Sequence, residues 1–101
     1  MSVIRINKDN FQNEVINSKS PVLLDFYADW CGPCRMICPI VEEIAEERAY
    51  IKVGKINVDE ESELASKFGI YSIPARVVKK DGKIVNQAVG AKPKAQILAM
   101  L

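Results

Sequence analysis

Two thiols stand three positions apart in Trp30-Cys31-Gly32-Pro33-Cys34. The apolar run Val22-Leu23-Leu24-Asp25-Phe26-Tyr27-Ala28 leads into them, and an amphipathic segment from Arg35 to Arg48 leads away. The pair therefore falls where a buried strand is expected to hand over to a helix. The unsatisfied backbone N–H groups and the macrodipole of a helix start favour negative charge, so a thiolate is stabilised there. Gly32 is expected to let the backbone turn tightly, and the φ of Pro33 already suits a first helical turn. Cys31 is expected at an exposed tip and Cys34 one turn deeper, the layout of a nucleophile and its resolving partner.

What else could two such thiols do? The chain has no histidine. That removes the Cys-His and Ser-His pairs of hydrolytic catalysis and the commonest zinc ligand. Three cysteines fall short of the four thiolates that Fe–S clusters and structural zinc usually take. They are also too few, and odd in number, for a disulfide framework. Dithiol chemistry is left, with no bound cofactor or metal and a redox-active Cys31–Cys34 pair as the reactive group. Asp25 joins it as a candidate, because apolar neighbours on both sides imply burial. Burial raises a carboxyl pKa and makes a proton acceptor near neutral pH; the plainer alternative is a surface carboxylate on an edge strand. Cys38 follows Cys34 by four positions. Helical i, i+4 neighbours hold their Cβ atoms about 5–6 Å apart, whereas a disulfide needs about 3.5–4.5 Å. Cys38 is thus expected to be a small buried hydrophobe rather than a third redox partner.

The rest of the chain must position these groups. Its 101 residues, 49% hydrophobic, suit one domain over residues 1–101 with a modest core. A net charge of +1 from 14 basic and 13 acidic side chains argues against nucleic acid or an anionic membrane as partner. The start, Met1-Ser2-Val3-Ile4-Arg5, lacks a charged-then-apolar leader. No apolar run approaches the length of a membrane span, about 18 residues or more. A cytoplasmic location is the expectation.

In chain order, Val3–Ile6 is a short strand candidate. Asn7-Lys8-Asp9-Asn10 offers a cap for a helix carrying Phe11, Val15 and Ile16. The unalternated run 22–28 reads as a central strand covered on both faces. The next helix puts Ile37, Ile40, Val41 and Ile44 on one stripe, with Pro39 expected to kink it. Residues 51–58 make a third strand and Ser62–Phe68 a short helix stopped by Gly69. Ile73-Pro74 opens a fourth strand, Asp81-Gly82 turns it tightly, Ile84–Val89 returns, and Lys94–Leu101 is a last helix. Strands alternating with helices on this scale argue α/β: parallel strands joined by crossover helices, plus one antiparallel hairpin.

With Asp25-Phe26-Tyr27-Ala28-Asp29-Trp30-Cys31-Gly32-Pro33-Cys34-Arg35-Met36, Pro39, Asn57-Val58-Asp59, Phe68-Gly69-Ile70, Ile73-Pro74, Asp81-Gly82 and Gly90 in place, the chain resembles the thioredoxin family over essentially its whole length. The resemblance implies a thioredoxin fold, a central five-stranded mixed sheet flanked by four helices. It implies a protein-disulfide reductase, a monomer, exchanging dithiol for disulfide with substrate proteins and recharged by a thioredoxin reductase. It also implies a cis peptide before Pro74 and a substrate groove formed by Trp30, Gly32, Pro33, Ile73, Pro74 and Gly90. Asp25 would lie beneath Cys34, with Lys55 beside it in a supporting role or simply solvated. Proline before the second cysteine suits a reductant in a cytosol-like poise. A binding module built on the same fold, and a disulfide oxidant or isomerase, are the competing functions.

Three positions depart from the family pattern. Cys38 stands where a small residue usually precedes the helical proline, and Ala75 where threonine usually follows the cis-proline. Arg76 and Lys79 interrupt a strand usually apolar throughout. Period-two alternation sends these two charges to opposite faces. Arg76 is expected under a short final helix with its head group reaching water or a carboxylate. On that reading, Arg76→Leu stabilises the fold and leaves the thiol chemistry untouched.

Overall fold

The computed structural model describes residues 3–101; Met1 and Ser2, with which the reading of the chain start began, lie outside the described residues. Five strands, β1 (Ile4–Arg5), β2 (Val22–Tyr27), β3 (Lys52–Asn57), β4 (Ala75–Lys80) and β5 (Lys83–Val89), form one sheet in the order β1-β3-β2-β4-β5. β3 runs parallel to both β1 and β2, while β4 is antiparallel to β2 and β5, so the sheet is mixed. Three α-helices, α1 (Gly32–Glu47), α2 (Ser62–Lys67) and α3 (Lys94–Leu98), accompany one π-helical segment, Gln12–Ile16.

β2 lies at the centre because its residues are apolar on both faces, and Val22 through Phe26 are all buried. Val22, Leu24 and Phe26 join Phe11, Val15, Ile56, Leu64 and Val77 in one core layer. Leu23 points the other way, into the layer of Ile37, Val41, Ile44, Val53, Val78 and Ile97 beneath α1 and α3. Each such fully buried aliphatic side chain stabilises the fold by about 1.5–3 kcal/mol. Alternation along β2 places Asp25 on the Leu23 face, under α1. Gly54 of β3 lets β1 and its extension come close: a Cβ there would sit 2.7 Å from Ile6 Cγ1.

The expected helix after Asn10 is present, as a π-helix over Gln12–Ile16. Its signature is the Asn17 N–H donating to the Gln12 carbonyl, five residues back, at 2.8 Å. Val15 is buried, but Ile16 stays 37% exposed, so only part of the anticipated apolar stripe reaches the core. The β4–β5 loop is the tight turn expected at Asp81-Gly82, with φ of 52° and 77°. A register shift accompanies it at Val78/Lys79.

Arg76 and Lys79 do face opposite sides of the sheet: Arg76 pairs in register with Asp25, Lys79 with Val22. Arg76, however, does not reach water. It is 0% exposed and spends its Nη2 on the carbonyl of Gly90 at 2.6 Å. β4 is an interior strand, flanked on both sides, so of the two expected routes the one to water is closed; the Gly90 carbonyl at the strand's end takes the hydrogen bond, and the in-register neighbour on β2 is the carboxylate Asp25.

Candidate active site

Cys31 is the N-cap of α1, in extended conformation at φ −86° and ψ 107°. Its Sγ accepts a hydrogen bond from the Cys34 backbone N–H at 3.2 Å. A donor there is one of the orphan amides of a helix start, and it favours a thiolate on Cys31 once the pair is reduced. Pro33 lies in the first turn, where its missing N–H costs nothing. Gly32 has open space around its Cβ position and no left-handed φ, so the backbone itself does not require glycine there. The tight turn expected of it is made without unusual backbone; what glycine leaves is a bare surface beside the thiols.

Cys31 and Cys34 form a disulfide, with Cα atoms 5.3 Å apart. Both are buried, 4% and 5% exposed, in a small cluster with Ala28, against which Tyr27, Val58 and Ile73 pack. The expected contrast between an exposed Cys31 and a deeper Cys34 is therefore absent in the oxidised form, where both pack against Ala28, Tyr27, Val58 and Ile73.

Of the residues expected to form a groove, Ile73 is packed against the disulfide cluster. Trp30 is 69% exposed, and its indole Nε1 donates to Asp59 Oδ2 at 2.8 Å, which fixes the ring beside the thiols. The Ile73–Pro74 peptide is cis. Gly90, at φ 98°, donates its N–H to the Pro74 carbonyl at 2.7 Å. A positive φ is why glycine suits that position. Asp59 lies two residues past β3, and nothing in its spacing points to the bond with Trp30.

Beneath α1, a cavity of about 290 Å³ is lined by Asp25, Tyr27, Cys34, Cys38 and Lys55 among others. Asp25 is 5% exposed, and its Oδ1 has no hydrogen-bond partner among the described residues. Burial pushes its pKa up to about 7, against the opposing pull of the Arg76 and Lys55 charges. Lys55 is the in-register partner of Asp25 on β3 and also lies 5.9 Å from the Tyr27 ring centroid. Asp25, Cys34 and Lys55 are thus brought together, with Asp25 on an interior strand.

Cys38 is exposed and its thiol lies 3.9 Å from Glu42 Oε1, contrary to the buried hydrophobe expected. The buried stripe of α1 runs through Cys34, Ile37, Val41, Ile44 and Ala45. Cys38 sits on the flank of that stripe, over the open cavity instead of the core. Partial burial and the Glu42 carboxylate push its thiol pKa up, so it is a weaker nucleophile than its exposure suggests. Among the described residues, no group of three or more His, Cys, Asp or Glu side chains is placed to hold a metal ion.

A dithiol at a helix N-terminus, beside a cis-proline and above a buried carboxylate, on a five-stranded mixed sheet, defines a thiol–disulfide exchange protein. The thioredoxin family model matches residues 2–101. The chain belongs to the thioredoxin family. It is 48% identical to a thioredoxin of Pyropia yezoensis, over all of this chain and 95% of that one. It is 46% identical to a thioredoxin of Haemophilus influenzae, over 94% of this chain and 90% of that one. Among solved structures, a point-mutant thioredoxin from Halobacterium salinarum NRC-1 superposes with a TM-score of 0.89 at 35% identity, covering 98% of this chain and 87% of that one. The fold is the thioredoxin fold, and the chain's activity is thiol–disulfide reduction.

Proposed function

We propose that the chain is a single-domain protein-disulfide reductase over residues 1–101 in which Cys31 attacks, Cys34 resolves and Asp25 moves the proton. The observation that carries these roles is the Cys34 N–H aimed at Cys31 Sγ, with Cys34 itself lining the cavity that Asp25 floors. In the reduced protein the Cys31 thiolate attacks a substrate disulfide R–S–S–R′. One Cys31–S–S–R bond forms and R′S⁻ leaves. The Cys34 thiol passes its proton to the Asp25 carboxylate and attacks Cys31 Sγ. RS⁻ leaves, and the Cys31–Cys34 disulfide of this structure remains. The substrate has gained two electrons and the dithiol has lost them.

Lys55, across from Asp25, holds positive charge beside the acceptor and supports its ionised form. Trp30, Gly32, Pro33, Ile73, Pro74 and Gly90 form the surface that receives an extended substrate segment. Its partners are disulfide-containing proteins and a thioredoxin reductase that returns two electrons, and it works as a cytoplasmic monomer. No helix among the described residues is long and apolar enough to cross a membrane.

Insulin reduction in the presence of dithiothreitol tests the roles. Wild type accelerates the reaction, Cys31→Ser does not, and Cys34→Ser accumulates a mixed disulfide on Cys31. Normal turnover by Cys34→Ser refutes the assignment. A wild type that fails to reduce insulin, yet binds partner proteins equally well in both redox states, identifies a binding module instead.

A further inference from the structure

The reduction chemistry leaves a fully buried guanidinium without a task. Arg76 and Asp25 are in-register partners on antiparallel strands. Side chains of such partners stand on one face of the sheet with Cβ atoms about 4.5–5.5 Å apart. That face carries α1, and with it Cys34 and the cavity that Asp25 lines. Arg76 is 0% exposed; its Nη2 donates to the Gly90 carbonyl, while Nε and Nη1 have no partner among the described residues. Asp25 Oδ1 is buried and unpartnered on the same face. A lone buried guanidinium is costly unless a negative charge or dipole answers it, and so is a lone buried carboxylate. Neither group is lone here. One hydrogen bond anchors the guanidinium at the Gly90 end of the strand, and its charge lies across the strand pair from Asp25.

We propose that Arg76 is a positioning residue of the dithiol site, which through its charge on the opposing strand holds Asp25 in the ionised form that accepts the Cys34 proton. This rests on the reading of Asp25 as that acceptor. Other groups face Asp25 as well. From β3 comes Lys55, the second cation; from α1 come Cys34, Arg35 and Cys38; from the end of β2 and the loop beyond it come Tyr27 and Asp29. Of the two cations that counter burial at Asp25, Arg76 has the larger effect. The reciprocal holds too: burial lowers the Arg76 pKa and the Asp25 charge raises it. Gly90, which anchors the guanidinium, donates its own N–H to the Pro74 carbonyl, so Arg76 is fixed to the Pro74–Gly90 end of the hairpin.

The test uses the oxidised full chain, so that no thiol titrates at Cys31 or Cys34, and follows the Asp25 carboxyl carbon by NMR through a pH series. In Arg76→Met, which keeps an unbranched apolar stem, the Asp25 midpoint moves upward. Arg76→Lys returns it toward wild type, because charge and not shape carries the effect. In the reduced protein at pH 7, the rate of insulin reduction by Arg76→Met falls by about fivefold for the first unit of that displacement, as the ionised fraction of Asp25 falls from about one half, and recovers as the pH is raised. A midpoint that stays where it is in wild type overturns the proposal. Should Arg76→Met not fold, wild type alone decides: the guanidinium nitrogens of Arg76 must shift with the same midpoint as the Asp25 carboxyl, and their indifference to it overturns the proposal equally. Failure of the underlying reading looks different: Asp25→Asn then reduces insulin at the wild-type rate near pH 7, while Arg76→Met still moves the Asp25 midpoint.

Discussion

Asp25→Asn exchanges a titrating group for a neutral one of nearly the same shape, and its effect on stability follows from the site. In the folded chain Asp25 has a pKa of about 7, whereas an ordinary aspartate sits at 3.8. Desolvation is the dominant cause, so the ionised form is the one that burial penalises. A carboxyl with a raised folded pKa keeps its proton where the unfolded chain has lost it. Its stability contribution is therefore complete below pH 3.8 and is lost progressively as pH rises to about 7. Some three units at about 1.4 kcal/mol each give a loss of about 4 kcal/mol by pH 8. Asparagine escapes that loss. It introduces an amide whose donors need partners, at a cost of about 1–3 kcal/mol, but this cost does not vary with pH.

The pH dependence of the difference is therefore the decisive quantity. Urea unfolding of the oxidised proteins across pH 4 to 8 should show Asp25→Asn gaining on wild type by about 4 kcal/mol over that window. Other carboxylates titrate alike in both proteins and cancel. A difference between the two that is flat with pH means that Asp25 ionises freely in the folded state, and burial then does not govern its proton. The same substitution should slow insulin reduction near pH 7, because an amide cannot take the Cys34 proton.

Cys34→Ser should trap substrate proteins on Cys31 as mixed disulfides that are released by dithiothreitol, readable as a dithiothreitol-sensitive mass shift; free turnover refutes the order of attack. Gly54→Ala places a Cβ 2.7 Å from Ile6 Cγ1 and should destabilise by about 1–3 kcal/mol in urea unfolding; an unchanged midpoint would show that Ile6 has room to yield. Lys79→Leu should stabilise by about 1–2 kcal/mol at pH 7, since the buried stem lies on the Phe11 side of the sheet and its charge is opposed by burial and then by Lys67. The Lys79 pKa is lowered, so this gain should shrink as pH rises toward 10.5 and the wild-type lysine loses its proton; a gain that is constant with pH assigns it to packing alone.

How much of this was legible in the chain depends on whether local chemistry or tertiary distance decided it. The dithiol, its helix start and the central β2 could be read directly, because a CxxC followed by an amphipathic run and preceded by an unalternated apolar one admits few arrangements. Burial of Asp25 could be read for the same reason: its neighbours are apolar on both sides. Cys38 could not. Its spacing from Cys34 says only that the two share a side of α1, and whether that side meets packed core or a cavity depends on β3, where Lys55 stands across from Asp25. The Trp30–Asp59 bond joins residues 29 positions apart, and no local pattern announces it. The π-helix after Asn10 differs from an α-helix by one hydrogen-bond register, a difference that apolar spacing too short to repeat does not resolve.

The two cations of β4 show why the position of a charge in the fold matters more than its presence in an apolar strand. Arg76 and Lys79 are both buried and sit three residues apart, so alternation sends them to opposite faces. Lys79 meets the Phe11 layer, where the nearest charge acting on it is another lysine. Arg76 meets the face that already holds a carboxylate with a raised pKa and, at the strand's end, a backbone carbonyl that can anchor it. Substituting leucine for either cation removes a buried charge, yet the consequences should part. At Lys79 the substitution removes a charge that burial and Lys67 both oppose. At Arg76 the substitution also removes the larger of the two positive influences on Asp25, so any gain in packing comes with a carboxyl that is harder to ionise. The expectation that Arg76→Leu leaves the thiol chemistry untouched is thereby reversed, and the pH at which the dithiol turns over becomes the property to measure.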